Sequence, residues 1–205
     1  MCTTGVVFSD KATYVFKNRD LTETVNMGLP EIRAGKNRYI AFFRPAGGIW
    51  FGVNEKGIAL TASDAHTIRK YPEQKGVGNK IACIYESIVA NASTIEEAEK
   101  IMVDSFRKNI KVPDMLMISD SKTAVAYEYT PEKEAMQRET EGALLRTNSF
   151  KVLPGAPDEN KDPSSHLRFR REKELIRGVC SSEQIKKLLR DHENGPGENS
   201  ICRHG

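Results

Sequence analysis

The sequence predicts an α+β fold in which antiparallel sheets carry helices on their outer faces. Short segments of alternating hydrophobicity recur along the chain, two separate pairs of segments have helical spacing, and the two kinds are segregated as strands, helices, strands, helices. Segregated runs of this kind fit stacked antiparallel sheets better than a parallel βαβ chain. A four-layer αββα sandwich satisfies the pattern, and a simpler two-layer α+β arrangement satisfies it as well. With 205 residues and no Pro/Gly/Ser-rich linker, the expectation is one domain over residues 1–205.

The elements follow in order. Thr3 to Phe8 and Thr13 to Phe16 are β-branched or aromatic and flank a polar turn at Ser9-Asp10-Lys11. Arg38 to Phe43, Ile49 to Val53 and Ile58 to Ala62 form a predicted meander. Its turns are Pro45-Ala46-Gly47-Gly48 and Asn54-Glu55-Lys56-Gly57. Residues 64–78 are polar and glycine-containing, a predicted loop. Asn79 to Val89 places Ile81, Ile84, Tyr85 and Ile88 on one helical face. The next helix opens at Ser93 with Glu96 three residues on, a capping-box pattern. It presents Ile95, Ala98, Ile101, Met102 and Phe106.

Strand period then returns. Asp114 to Ser119 and Thr123 to Tyr129 flank the turn Asp120-Ser121-Lys122, and Glu134 to Arg138 and Gly142 to Thr147 extend the sheet. His166 to Arg177 and Ser182 to Asp191 are two further predicted helices, the last opening at Ser181 with Gln184.

Composition excludes several classes. The formal charge is +3, and acidic residues are mixed among the basic ones, so no nucleic-acid partner is expected. The longest apolar runs are strand-sized, and no basic segment precedes an apolar stretch at the N-terminus. The expected location is cytoplasmic, with no membrane association. Cys2, Cys83, Cys180 and Cys202 form no CxxC pair and would be reduced there. Cys202 and His204 are too few for a zinc site, so neither metal nor cofactor is expected.

Cys2 is the cysteine whose position has chemical meaning. Removal of Met1 would leave a thiol and a free α-amine on one residue. An α-amine has a pKa of about 7.7–8.0, so a useful fraction is an uncharged base near neutrality. It can take the thiol proton and later protonate a leaving amine. One residue then supplies nucleophile and general base.

Further residues join it. Met1-Cys2-Thr3-Thr4 leads through a hairpin to Phe16-Lys17-Asn18-Arg19-Asp20. Downstream stand Gly52-Val53-Asn54-Glu55-Lys56-Gly57-Ile58-Ala59, Arg146-Thr147-Asn148-Ser149-Phe150, Ser164-Ser165-His166-Leu167-Arg168, and Ser200-Ile201-Cys202-Arg203-His204. In this order they resemble the N-terminal-nucleophile (Ntn) hydrolases of the choloylglycine hydrolase and acyl-coenzyme A:6-aminopenicillanic acid acyltransferase type with N-terminal cysteine. The resemblance implies the four-layer αββα sandwich. It also implies a small-molecule amide or acyl substrate, cleaved at a linear carbon–nitrogen bond (non-peptide or dipeptide) through a Cys2 thioester. Water or a second acceptor then resolves the thioester, and the residues leave hydrolysis and acyl transfer equally open.

Carried over residue by residue, the resemblance implies that Asp20 orients the terminal amine. The family's arginine three residues before that carboxylate is Lys17 here, with Arg19 beside Asp20, so either cation is a candidate. Asn148 is implied to hold the tetrahedral intermediate. Arg168 is the implied active-site arginine, with Arg171 the second match. The family's oxyanion asparagine falls on Asp64, where the backbone N–H is the better donor. Family members run on past this point with more strands, so the chain is either a compact member or lacks the C-terminal strands. A homo-oligomer is compatible with all of this. The competing reading is a non-catalytic binding or assembly protein that retains the αββα fold, favoured by Lys17, Asp64 and the early stop.

Overall fold

In a computed structural model of the chain, residues 2–19, 28–45, 47–65, 75–155, 162–195 and 197–202 are described. The first hairpin is β1 (Cys2–Phe8) with β2 (Thr13–Arg19). β3 (Glu31–Ala34), β4 (Arg38–Phe43), β5 (Ile49–Asn54) and β6 (Ala59–Ser63) follow, then the helices α1 (Val77–Asn91) and α2 (Ile95–Asn109). β7 (Asp114–Ser119), β8 (Ala124–Tyr129), β9 (Glu134–Glu139) and β10 (Ala143–Arg146) precede α3 (Pro163–Leu175) and α4 (Ser182–Leu189).

These strands form two antiparallel sheets. One has the order β10-β1-β2 and the other β3-β4-β5-β6-β7-β8-β9. The helical faces read from the sequence decide the outer layers. Ile84, Tyr85 and Ile88 of α1 with Ala98, Met102 and Phe106 of α2 bury themselves on Ala41, Leu60, Leu116 and Tyr127 of the larger sheet. Phe106 meets Tyr127 and Tyr129 edge-on at 5.7 and 5.4 Å between ring centroids. On the other side Ile176, Ile185 and Leu188 cover Val7, Phe16 and Leu145 of the smaller sheet. Between the sheets lie Val6, Leu144, Met117, Ala124 and Ala126. The result is the αββα sandwich.

That inner layer turns polar toward one end. The hydroxyls of Thr4 and Thr61 meet at 2.6 Å, Ser63 Oγ donates to the Thr147 carbonyl at 2.6 Å, and Lys17 Nζ donates to the Ala62 carbonyl at 2.5 Å. These bonds hold β1, β2 and β6 in register where the two sheets meet Cys2.

Turns and caps supply the remaining local logic. Gly57 has φ 83°, and Asn54 serves its hairpin on both sides. The Asn54 amide donates to the carbonyls of Val89 and Ala92, and its oxygen accepts from the backbone of Lys56 and Ile58. Gly48, at φ 72°, lies so close to α1 that a Cβ there would sit 2.3 Å from the Ala82 carbonyl carbon.

Four expectations need adjustment. The α2 box is shifted by one residue: Thr94 caps Glu97, and Glu97 reaches back to the Ser93 N–H. Two adjacent hydroxyl residues allow either register. α3 starts at Pro163, before His166, because Asp162 accepts from Ser165 N at 3.0 Å and proline suits the first helical position. β3 was not predicted; all four of its residues are exposed, so no alternation marks it. Finally, β10 does not extend the sheet of β9. The chain turns at Gly142 (φ 66°) and β10 pairs with β1 in the other sheet.

Candidate active site

Cys2 is the first residue of β1 and lies opposite Arg19 of β2. It is 7% exposed, at the wall of a cavity of about 110 Å³. Lys17, Arg19, Arg44, Trp50, Asp64 and Tyr85 share that wall.

Two buried side chains converge on Cys2. Its backbone N–H donates to Asn148 Oδ1 at 2.8 Å. Arg168 donates from Nη1 to the Cys2 carbonyl at 2.6 Å and to Thr3 Oγ1 at 3.2 Å, and from Nη2 to Asn148 Oδ1 at 3.0 Å. Asn148 Nδ2 donates to the Asp64 carbonyl at 2.8 Å. This pattern fixes the amide orientation, since a flipped Asn148 would set its NH2 against two donors.

Local structure explains why these groups meet. Asn148 follows β10, and its backbone N–H donates to Ser165 Oγ at 2.9 Å. Thr147 Oγ1 bonds the Ser165 carbonyl at 3.0 Å and lies 2.7 Å from its hydroxyl. The end of β10 is thereby pinned to the first turn of α3. Arg168 emerges one turn later, 1% exposed, and points back to β1.

Of the residues named from the sequence, Cys2, Asn148, Arg168 and the Asp64 backbone are brought together. Asp20 lies outside the described residues, as do Met1 and His204. The Asp64 contact found is through its carbonyl, which orients Asn148, while its side chain is exposed at the cavity. Lys17 and Arg19 both line the cavity. Lys17 is tied to the Ala62 carbonyl, and the Arg19 guanidinium lies over the Trp50 ring. Burial lowers Arg19 to about 10, opposed by the nearby Cys2 and Asp64 and reinforced by Arg44. Arg171 is directed elsewhere, into an ion pair with Asp191 at 2.8 Å. The two arginines are three residues apart on α3, and their partners separate them: Arg168 is held by Cys2 and Asn148, Arg171 by Asp191.

Other residues at the site carried no sequence signal. Tyr85, read as core, also lines the cavity, and its hydroxyl donates to Asp114 Oδ2 at 2.6 Å. Burial, and next Asp64, push the Asp114 carboxyl up to about 7, against the Tyr85 hydrogen bond, the Met115 N–H and Lys17. Trp50 and Arg19 also wall a second, more apolar cleft of about 370 Å³ containing Val15, Phe16, Phe42, Phe51 and Leu189. Among the described residues, no three or more His, Cys, Asp or Glu side chains gather as a metal site, and no helix is long and apolar enough to cross a membrane.

The fold has counterparts among solved structures. Penicillin V acylase from Agrobacterium tumefaciens superposes with a TM-score of 0.54 at 16% identity, over 92% of this chain and 69% of that one. Two variants of conjugated bile acid hydrolase from Clostridium perfringens each give 0.52 at 15% identity, over 95% of this chain and 75% of theirs. At such identities the likeness is one of fold. Direct comparison with curated protein sequences gives no match. The family of acyl-coenzyme A:6-aminopenicillanic acid acyl-transferases, in contrast, matches residues 7–204, nearly the whole sequence. The chain therefore belongs to that family, within the cysteine Ntn hydrolases and acyltransferases, enzymes that act on amide bonds.

Proposed function

We propose that Cys2, once Met1 is removed, is the nucleophile for cleavage of a linear carbon–nitrogen amide bond in a small N-acyl compound. The observation that carries this is the convergence of Asn148 Oδ1 and Arg168 on the Cys2 nitrogen and carbonyl at the cavity wall. The nitrogen held by Asn148 is the atom that becomes the α-amine.

The amine takes the thiol proton, and the sulfur attacks the substrate carbonyl. The C–N bond then breaks, and the α-ammonium returns the proton to the leaving amine. This leaves a thioester on Cys2. Water, deprotonated by the same amine, releases the acid and restores the thiol; an amine acceptor in its place completes acyl transfer.

Asn148 is held by three hydrogen bonds, so its remaining amide hydrogen and the Asp64 backbone N–H are the donors for the oxyanion. Arg168 clamps Asn148 and the β1 backbone, fixing the attacking residue. The apolar cleft beyond the Arg19–Trp50 pair takes the acyl chain.

The test combines intact mass, iodoacetamide mapping and turnover of N-acyl amides. Loss of Met1, alkylation at Cys2, and no turnover by Cys2→Ala are expected. Turnover that survives Cys2→Ala overturns the reading.

A further inference from the structure

Behind Arg168 the interior holds a carboxyl group that the proposed mechanism does not use. Glu172 lies one helical turn beyond Arg168 on α3, so the two side chains share a face. It is 0% exposed, and neither carboxyl oxygen has a hydrogen-bond partner. A buried carboxyl without donors is costly unless nearby charge offsets the cost.

The charges that act on it are positive: Arg168 on its own helix, Arg146 on β10, against which α3 packs, and Lys151 just after β10. Burial raises its pKa well above the ordinary carboxylate value, and these three cations oppose that. Arg146 is itself 2% exposed and has its own carboxylate partner, Glu128, at 2.9 Å. Glu128 also accepts the backbone N–H groups of Lys151, Val152 and Leu153 at 2.7, 2.9 and 2.8 Å. Glu128 therefore anchors β10 and the segment after it, while Glu172 stands where the fields of two buried guanidinium groups overlap.

We propose that Glu172 is a positioning residue for Arg168: fully buried one turn along the same face of α3, its carboxyl in the ionised form attracts the Arg168 guanidinium and helps hold it where it reaches both the Cys2 carbonyl and Asn148 Oδ1. The inference rests on the reading of Cys2 as nucleophile. An ionised carboxylate in a poorly solvated interior attracts a nearby guanidinium strongly, so its charge bears on where that side chain settles. Glu172 touches no substrate; it acts through Arg168.

The experiment compares the processed wild-type protein with Glu172→Gln and Glu172→Asp. It measures the rate of Cys2 alkylation by iodoacetamide against pH, steady-state turnover, and thermal unfolding. In the wild type the alkylation profile should show the thiol ionisation and a second one from Glu172. Glu172→Gln should lose the second ionisation and lower kcat about tenfold with KM within about twofold. Glu172→Asp should restore the second ionisation at a displaced midpoint, and it carries the test if the glutamine variant does not fold. Superimposable alkylation profiles overturn the proposal, as does a loss of activity that merely follows a lowered melting temperature with no change in the profile. Alkylation is read without any substrate. A changed profile in a protein that turns over no amide therefore faults the enzymatic reading and leaves the positioning role standing.

Discussion

The Cys2 nitrogen and Asn148 Oδ1, 146 residues apart in the chain, lie 2.8 Å from one another. The carbonyl that receives the Cys2 N–H belongs to an amide whose other end is held by Asp64. In the proposed mechanism Asn148 therefore orients the general base and offers its remaining hydrogen to the oxyanion. Asn148→Ala should lower kcat/KM about 10²–10³-fold, mainly through kcat, by comparison with other oxyanion donors. Steady-state kinetics on a variant shown to be folded by circular dichroism checks this. A wild-type kcat would remove Asn148 from the mechanism.

Arg168 reaches the Cys2 carbonyl and Asn148 Oδ1 from the two ends of one planar fork. Lysine keeps the charge but cannot span them. Arg168→Lys should therefore reduce kcat/KM about tenfold or more, and should slow alkylation of Cys2. Stopped-assay alkylation followed by peptide mapping reads the second effect, and equal rates in the two proteins would contradict it.

Burial of Asp114 makes stability depend on pH. Asp114 has its folded pKa raised to about 7 from 3.8. The folded state thus keeps the proton while the unfolded state releases it. The contribution is fully present below the unfolded value and is lost as pH rises toward the folded one. At most it falls by about 1.4 kcal/mol per pH unit in that window. Urea midpoints between pH 4 and 7 should decline in the wild type more steeply than in Asp114→Asn, whose amide oxygen can still accept from Tyr85. Parallel declines would assign the effect elsewhere.

Phe51 lines the apolar cleft that the proposed function assigns to the acyl chain. Phe51→Ala should raise KM roughly tenfold for long or aromatic acyl amides, in line with about 1–3 kcal/mol for apolar contacts in a pocket. Acetyl amides should be unaffected. The ratio of kcat/KM values for the two substrate types is the measurement, and an unchanged ratio would move the acyl site away from this cleft.

What the sequence by itself determined was local or nearly so. Periodicity and apolar runs placed both helical pairs and nine of the ten strands. α1, α2 and β4 bury one face, while β1, β6, β7 and β8 are buried on both faces and stand out as short apolar or β-branched runs. Asn54 and Gly57 marked their hairpin because a turn needs such residues wherever it lies. The ordered cluster Cys2, Asn148 and Arg168 was visible through resemblance.

Tertiary structure decided what depends on neighbours distant in the chain. β9 and β10 are consecutive, yet they belong to different sheets, because β1 offers β10 an edge that local pattern cannot reveal. Arg168 and Arg171 are equivalent on paper, and the packing of α3 against β10 turns one inward and leaves the other to Asp191. Asp114 and Glu172 read as ordinary acidic residues. Only the layers that close over them strip their water, and that desolvation changes their chemistry.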